Sequence, residues 1–118
     1  MIKRIAIPIE NGMLSDSFTN CDHYQIYKTE DNSIVSKEIE KADQNELKLS
    51  EWISQKNITD IIAYKIEAGL IDSLAGQKIN LFIGIPINTP DKIISDYLNG
   101  DLKSDNKIII DSLHSESE

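Results

Sequence analysis

Apolar residues recur at every second position in the first third of the chain and at helical spacing afterwards, which divides it into an early run of strands and a later alternation of helices and strands. Ile2 to Pro8 reads as a first strand, and Pro8, which has no N–H to donate, is expected to end it or to lie at a sheet margin. Asn11-Gly12 turns the chain, and residues 9–22 form a long connection that Phe18 anchors to the core. Tyr24, Ile26 and Lys28 alternate with Gln25, Tyr27 and Thr29 as a second strand. The polar turn Glu30 to Ser33 returns the chain as a third strand, Ile34 to Ile39, antiparallel to the second.

Helical spacing begins with Leu49, Trp52, Ile53 and Lys56, preceded by Asp43 and Glu46 at the separation of a capping box, so a helix is predicted over about 44–56. Trp52 falls on its apolar stripe and reads as core. Asn57 can end this helix in a left-handed conformation, and Thr59 to Tyr64 follows as a short strand buried on both faces, central in the sheet. Leu70, Ile71 and Leu74 place a second helix over Glu67 to Ala75, stopped by Gly76, and Ile79 to Ile85 is a strand ending at Pro86. A third helix opens with Thr89 as N-cap and Pro90 at its first position, buries Ile93, Ile94, Tyr97 and Leu98, and closes at Gly100. Ile5, Ile7, Phe18, Trp52, Ile62, Leu74, Leu81 and Ile83 are the expected core.

This order gives an α/β fold: an antiparallel hairpin followed by right-handed crossovers makes a mixed sheet with helices on its faces. The first, fourth and fifth strands should be parallel, with the second antiparallel to the first. A chain of 118 residues suits one domain, placed at 1–103, followed by a C-terminal extension and acidic tail over 104–118 that contains the apolar Ile108 to Ile110. His114 belongs to that tail.

Charge removes whole classes of partner. Twelve basic against 20 acidic residues leave a net charge of −8, which repels phosphate backbones and anionic lipid, so neither nucleic acid nor a membrane surface is an expected partner. The opening residues lack a signal peptide's apolar segment, and no run approaches the roughly 20 apolar residues of a spanning helix, so a cytoplasmic protein is expected. One cysteine cannot form an internal disulfide.

The candidate chemistry gathers between Asp16 and Tyr27. Cys21, Asp22 and His23 offer thiolate, carboxylate and imidazole, ligand types that transition metals accept, and strand alternation would point Cys21 and His23 to one face and Asp22 to the other. Cys21 and His23 are therefore the candidate metal and cofactor ligands. The plainer alternative is a small buried thiol beside a polar loop histidine. As part of an open loop, Cys21 is expected to be partly exposed and to react with thiol reagents, although no metal is expected to stay on the isolated protein.

Ile5 to Ile9, Leu14 to Phe18, Tyr24 to Tyr27, Ile58 to Ala63, Asn80 to Gly84 and Asp96 to Leu102 together resemble the dinitrogenase iron-molybdenum cofactor biosynthesis family, the nitrogenase accessory-factor group, over about residues 2–103. The resemblance implies a ribonuclease H-like motif with a five-stranded mixed sheet, and non-catalytic carriage of an iron-sulfur or iron-molybdenum-type cluster. Departures from the family's pattern concentrate at the site. Ser17-Phe18-Thr19 stands where the family has His-Phe-Gly, and Lys41 to Asn45 replaces a loop rich in glycine and histidine. Tyr64-Lys65-Ile66-Glu67 replaces a Gly-Gly-Ile-Gly turn whose small residues let backbone amides approach an anion.

Two functions stay open. One is a metal or metallocluster carrier using Cys21 and His23, in which a homodimer could supply a second thiolate, since iron-sulfur clusters take several. The other is a module that has lost the cofactor and acts through a protein partner. An enzyme is not expected: nucleases of ribonuclease H-like architecture hold magnesium with a carboxylate on the first strand, which Ile2 to Pro8 lacks, and phosphate-loop and dinucleotide-binding glycine patterns are absent.

Overall fold

The structure is a computed structural model that describes residues 2–18, 21–41, 46–74 and 79–102. β1 (Ile2–Glu10) is the strand on which the sheet is assembled. It pairs antiparallel with β3 (His23–Glu30) from Ile2 opposite Glu30 to Ile9 opposite His23. On its other edge it pairs in parallel with β5 (Asp60–Ile62) through Ile5 and Ala6. β4 (Ser33–Lys41) extends the sheet antiparallel to β3, and β6 (Asn80–Phe82) extends it parallel to β5, giving the order β4-β3-β1-β5-β6. The mixed sheet and its strand directions match the expectation.

A sixth strand was not expected. β2 (Met13–Leu14) pairs antiparallel with the end of β1, because Asn11 and Gly12 both take positive φ, 54° and 78°, the conformation of a tight hairpin turn. Pro8 does not end β1, which runs on to Glu10. Its carbonyl accepts from the Ser15 amide at 2.8 Å, and since the N and O of one strand residue point to the same side, the missing donor faces this loop and costs β3 no bond.

Period-two alternation along β1 sends neighbouring side chains into two cores. Ala6 joins Tyr24, Ile26 and Ile61 beneath Leu49 and Ile53 of α1 (Glu46–Gln55), with Leu70 and Leu74 from α2 (Ala68–Ser73) and its C-cap. Ile5, Ile7 and Ile9 face the opposite way with Tyr27 and Ile62, covered by Ile93 and Ile94 of α3 (Pro90–Leu98). Of the expected core, Trp52 and Leu81 are only partly buried; Trp52 lies over the Tyr24 ring at 5.1 Å with one edge left outside, as its size favours.

Helix ends follow the sequence closely. Asn57 takes φ 57°, with its N–H on the Ser54 carbonyl and that of Ile58 on Ile53, and Gly100 closes α3 in the same way through Tyr97 and Asp96. Thr89 accepts from the Lys92 amide at 3.3 Å, with Pro90 at the first helical position. The proposed cap Asp43, the stop at Gly76, Thr19 and everything from 103 onward, with the tail, Ile108 to Ile110 and His114, lie outside the described residues. Among the described residues, no helix is long and apolar enough to cross a membrane.

Candidate functional site

The C-terminal ends of β1, β5 and β6 are where parallel strands of an α/β sheet ordinarily present a site, and the connection after β1 is drawn across this end by backbone bonds. Leu14 N–H reaches the Asn88 carbonyl at 2.9 Å, Phe18 N–H the Lys65 carbonyl at 3.0 Å and Asp22 N–H the Ile9 carbonyl at 2.9 Å, so each of the three strand ends holds one point of the loop. Ser15 is buried, and its hydroxyl both donates to the Ser17 carbonyl and accepts from the Ser17 amide, a local turn that fixes where Ser17 points. Ser17 Oγ then donates to Glu67 Oε1 at 2.5 Å. Glu67 is the N-cap residue of α2 by position but makes no side-chain capping bond, and its second oxygen, Oε2, is buried with no partner among the described residues.

Phe18 anchors the loop as expected: it is fully buried, its ring lies 5.0 Å from Tyr24, and the Tyr24 hydroxyl donates to its carbonyl at 2.6 Å. Cys21 belongs to the same cluster. It is 6% exposed, its thiol is directed at the Phe18 carbonyl at 3.8 Å, and it packs with Tyr24, Leu49 and Ile53 on the α1 side of the sheet. The expectation of a partly exposed thiol is therefore corrected: the bend at Cys21 and Asp22 turns the side chain inward between Phe18 and Tyr24. Burial pushes its pKa up to about 11, and the negative charges of Asp22 and Glu10 add to the rise against opposing hydrogen bonds from Tyr24 and the Ile9 backbone. At neutral pH it is a thiol and not a thiolate.

His23 is not beside Cys21 on one face. β3 starts at His23, so alternation places it with Gln25 and Tyr27 on the α3 side, whereas Cys21 precedes the strand and enters the opposite core. His23 Nε2 is buried and has no hydrogen-bond partner among the described residues. Among those residues, no three His, Cys, Asp or Glu side chains come together in a way that could hold a metal ion. A cluster ligated by this chain's Cys21 and His23 therefore does not fit: the single thiol is buried and protonated, and the imidazole lies across the sheet from it.

Sequence reasoning noticed Ser17 and Glu67 separately, as two departures from a pattern, and missed that they touch. It also passed over Asp60, a fully buried carboxylate at the other end of the sheet. Asp60 accepts from Thr59 Oγ at 2.6 Å, Tyr97 OH at 2.9 Å and Asn80 Nδ2 at 3.4 Å, with Lys3 Nζ at 3.9 Å. Lys3, Asp60, Asn80 and Tyr97 line a cavity of about 480 Å³, but Asp60 is fully buried and its oxygens are taken up by these internal bonds. It ties β1, β5, β6 and α3 together, and its charge, with burial as the larger cause, raises the pKa of Tyr97.

Comparison with known proteins agrees with this architecture. Three solved structures share the fold: a Methanocaldococcus jannaschii protein carrying the dinitrogenase label (TM-score 0.73, 23% identity, covering 87% of this chain and 94% of that one); a Thermotoga protein carrying the NifB label (0.72, 20%, 86% and 92%); and the apo form of the orange protein from Desulfovibrio gigas (0.73, 10%, 89% and 94%). At these identities the likeness is one of fold. A sequence search of curated proteins finds no match. The family model for dinitrogenase iron-molybdenum cofactor proteins matches residues 1–100, and the chain therefore belongs to the dinitrogenase iron-molybdenum cofactor family.

Proposed function

We propose that this protein is a non-catalytic accessory factor within iron-molybdenum cofactor handling that acts by docking a protein partner, and that it does not hold a metallocluster through Cys21 and His23. The observation that carries this reading is the Ser17–Glu67 hydrogen bond. It sets a carboxylate at the end of the sheet where the resemblance would put small residues and an imidazole, and a carboxylate repels an anionic metal-sulfur cluster. The buried, protonated Cys21 supports the same reading from the ligand side.

A second reading, carriage of a cluster, draws on one observation: His23 Nε2 is a nitrogen with no partner among the described residues and is free to take a ligand if the loop opens. In that reading a homodimer supplies the second thiolate. Anaerobic reconstitution with iron and sulfide separates the two. Protein docking predicts that neither the native chain nor Cys21→Ser retains stoichiometric iron after desalting; retention by the native chain that Cys21→Ser abolishes overturns it.

A further inference from the structure

Three large apolar side chains are exposed at the C-terminal end of the sheet, one following each parallel strand. Met13 (39% exposed) lies in the hairpin after β1, Tyr64 (38%) after β5 and Ile87 (46%) after β6. Backbone bonds hold them to one rim: Leu14 N–H to Asn88 O joins the first to the third, and Gly84 N–H to Tyr64 O joins the second to the loop leading to the third. A rim built this way is fixed before any partner arrives, and presenting an exposed aromatic on rigid backbone limits the ordering cost of binding.

The charges around it have one predominant sign. Glu10, Asp16, Asp22 and Glu67 belong to the same loops and strand ends, against Lys65 and, at the end of β4 opposite His23, Lys41. Glu67 already receives a bond from Ser17, and Asp22 accepts from the Asn11 amide, while Asp16 stands exposed in the loop that follows Met13. Exposed apolar groups in the company of carboxylates complement a segment that carries apolar residues in the company of basic ones.

The other exposed apolar stretch is less suited to docking. β4 shows Ile34, Val35 and Ile39 to solvent, but it interleaves them with Lys37, Glu38, Glu40 and Lys41, and its ladder to β3 shifts register between Lys28 and Thr29. Alternating charge and a bulge are the devices by which an edge strand resists further pairing.

From these placements we infer that the rim formed by Met13, Tyr64 and Ile87 docks a segment of a partner protein that carries basic residues beside apolar ones. The inference rests on the protein-docking reading above and gives it a surface and a chemistry. Tyr64 is the central contact, its ring meeting the partner's apolar residues, and Asp16 steers the basic ones.

The test uses the whole chain, isotope-labelled, titrated with a short synthetic peptide alternating arginine and leucine and with its glutamate–leucine counterpart, reading amide chemical shifts. The arginine peptide should move the amides of residues 11–17, 63–67 and 87–88 in a saturable way, and the glutamate peptide should move none of them. Tyr64→Ser should raise the peptide Kd by about tenfold or more, as removal of an aromatic anchor does. Asp16→Lys should weaken binding and flatten its dependence on salt. Both residues are exposed, and the same spectra report whether each variant is folded. Equal response to both peptides, no response, shifts centred on 33–41, or an unchanged Kd in Tyr64→Ser would each overturn the rim as the docking surface. Shifts centred on 33–41 would leave protein docking standing on another face, whereas that broader reading fails separately, by cluster retention that depends on Cys21.

Discussion

Ser17 and Glu67, fifty residues apart in sequence, share a hydrogen bond of 2.5 Å that fastens the loop after β1 to the start of α2. A hydroxyl donating to a carboxylate in a partly buried setting is a charge-assisted bond, stronger than a neutral one. Ser17→Ala should therefore destabilise the protein by about 1–3 kcal/mol in urea unfolding. In a double-mutant cycle with Glu67→Gln, the pair should show a coupling energy of about 1 kcal/mol or more. A coupling near zero would mean that the loop is held by its backbone bonds alone.

Alkaline pH should destabilise the fold through Cys21. Its thiol keeps its proton to about 11 in the folded chain, against an ordinary 9.0, so between those values the unfolded chain has released a proton that the folded chain retains. The stabilisation is fully present below about pH 9 and is lost as pH rises towards 11. Tyr27, raised to about 12 by burial first and then by Asp91, and Tyr97 act in the same direction at higher pH. Urea midpoints measured at about pH 8 and about pH 10.5 should fall by less in Cys21→Ala than in the native chain, a difference on the order of 1–2 kcal/mol. Equal slopes for the two would remove the buried thiol from the explanation.

Trp52 packs against the Tyr24 ring and is only partly buried. Trp52→Ala should cost about 2–4 kcal/mol, below the full range for a buried aromatic because part of the indole is already solvated. A loss under about 1 kcal/mol would place the ring on the surface and reopen a recognition role for it.

Tyr24 makes the most telling hydrogen bond of the loop, donating to the Phe18 carbonyl at 2.6 Å inside the core. Tyr24→Phe leaves that carbonyl without this donor and should cost about 1–3 kcal/mol. By loosening the loop whose carbonyl faces the thiol, it should also speed the reaction of Cys21 with thiol reagents, even though it removes the Tyr24 hydrogen bond that opposes the rise in the Cys21 pKa. Unchanged reactivity would show that the loop keeps its shape without this bond.

How far the chain could be read in advance follows from where its signals are local. Helix caps at Thr89, Asn57 and Gly100 and the alternation of β1 depend on neighbours within a few residues, and the structure repeats them. The hairpin at Asn11-Gly12 was visible as a turn, but its two-residue partner strand was too short for a periodic pattern. The site was read less well, because it depends on contacts between distant segments. The relation of Cys21 to His23 turned on whether the strand begins at residue 21 or at 23: alternation fixes a face only inside a strand, and Cys21 lies in the bend before His23. The Ser17–Glu67 contact has no local signature at all. The satisfied Asp60 likewise needs β6 and α3 in place before its partners exist.

Cys21 is a core thiol, and the rate at which it reacts with an aromatic disulfide reagent in the native and urea-unfolded chain tests that most directly. With the thiol 6% exposed and its pKa raised to about 11, the native chain should react at least about a hundredfold more slowly than the unfolded chain at neutral pH, from lost thiolate and lost access together. Rapid, stoichiometric reaction of the native protein, comparable to that of the unfolded chain, would put an available thiolate on the loop and contradict the reading of this protein as a module that leaves the cluster to others.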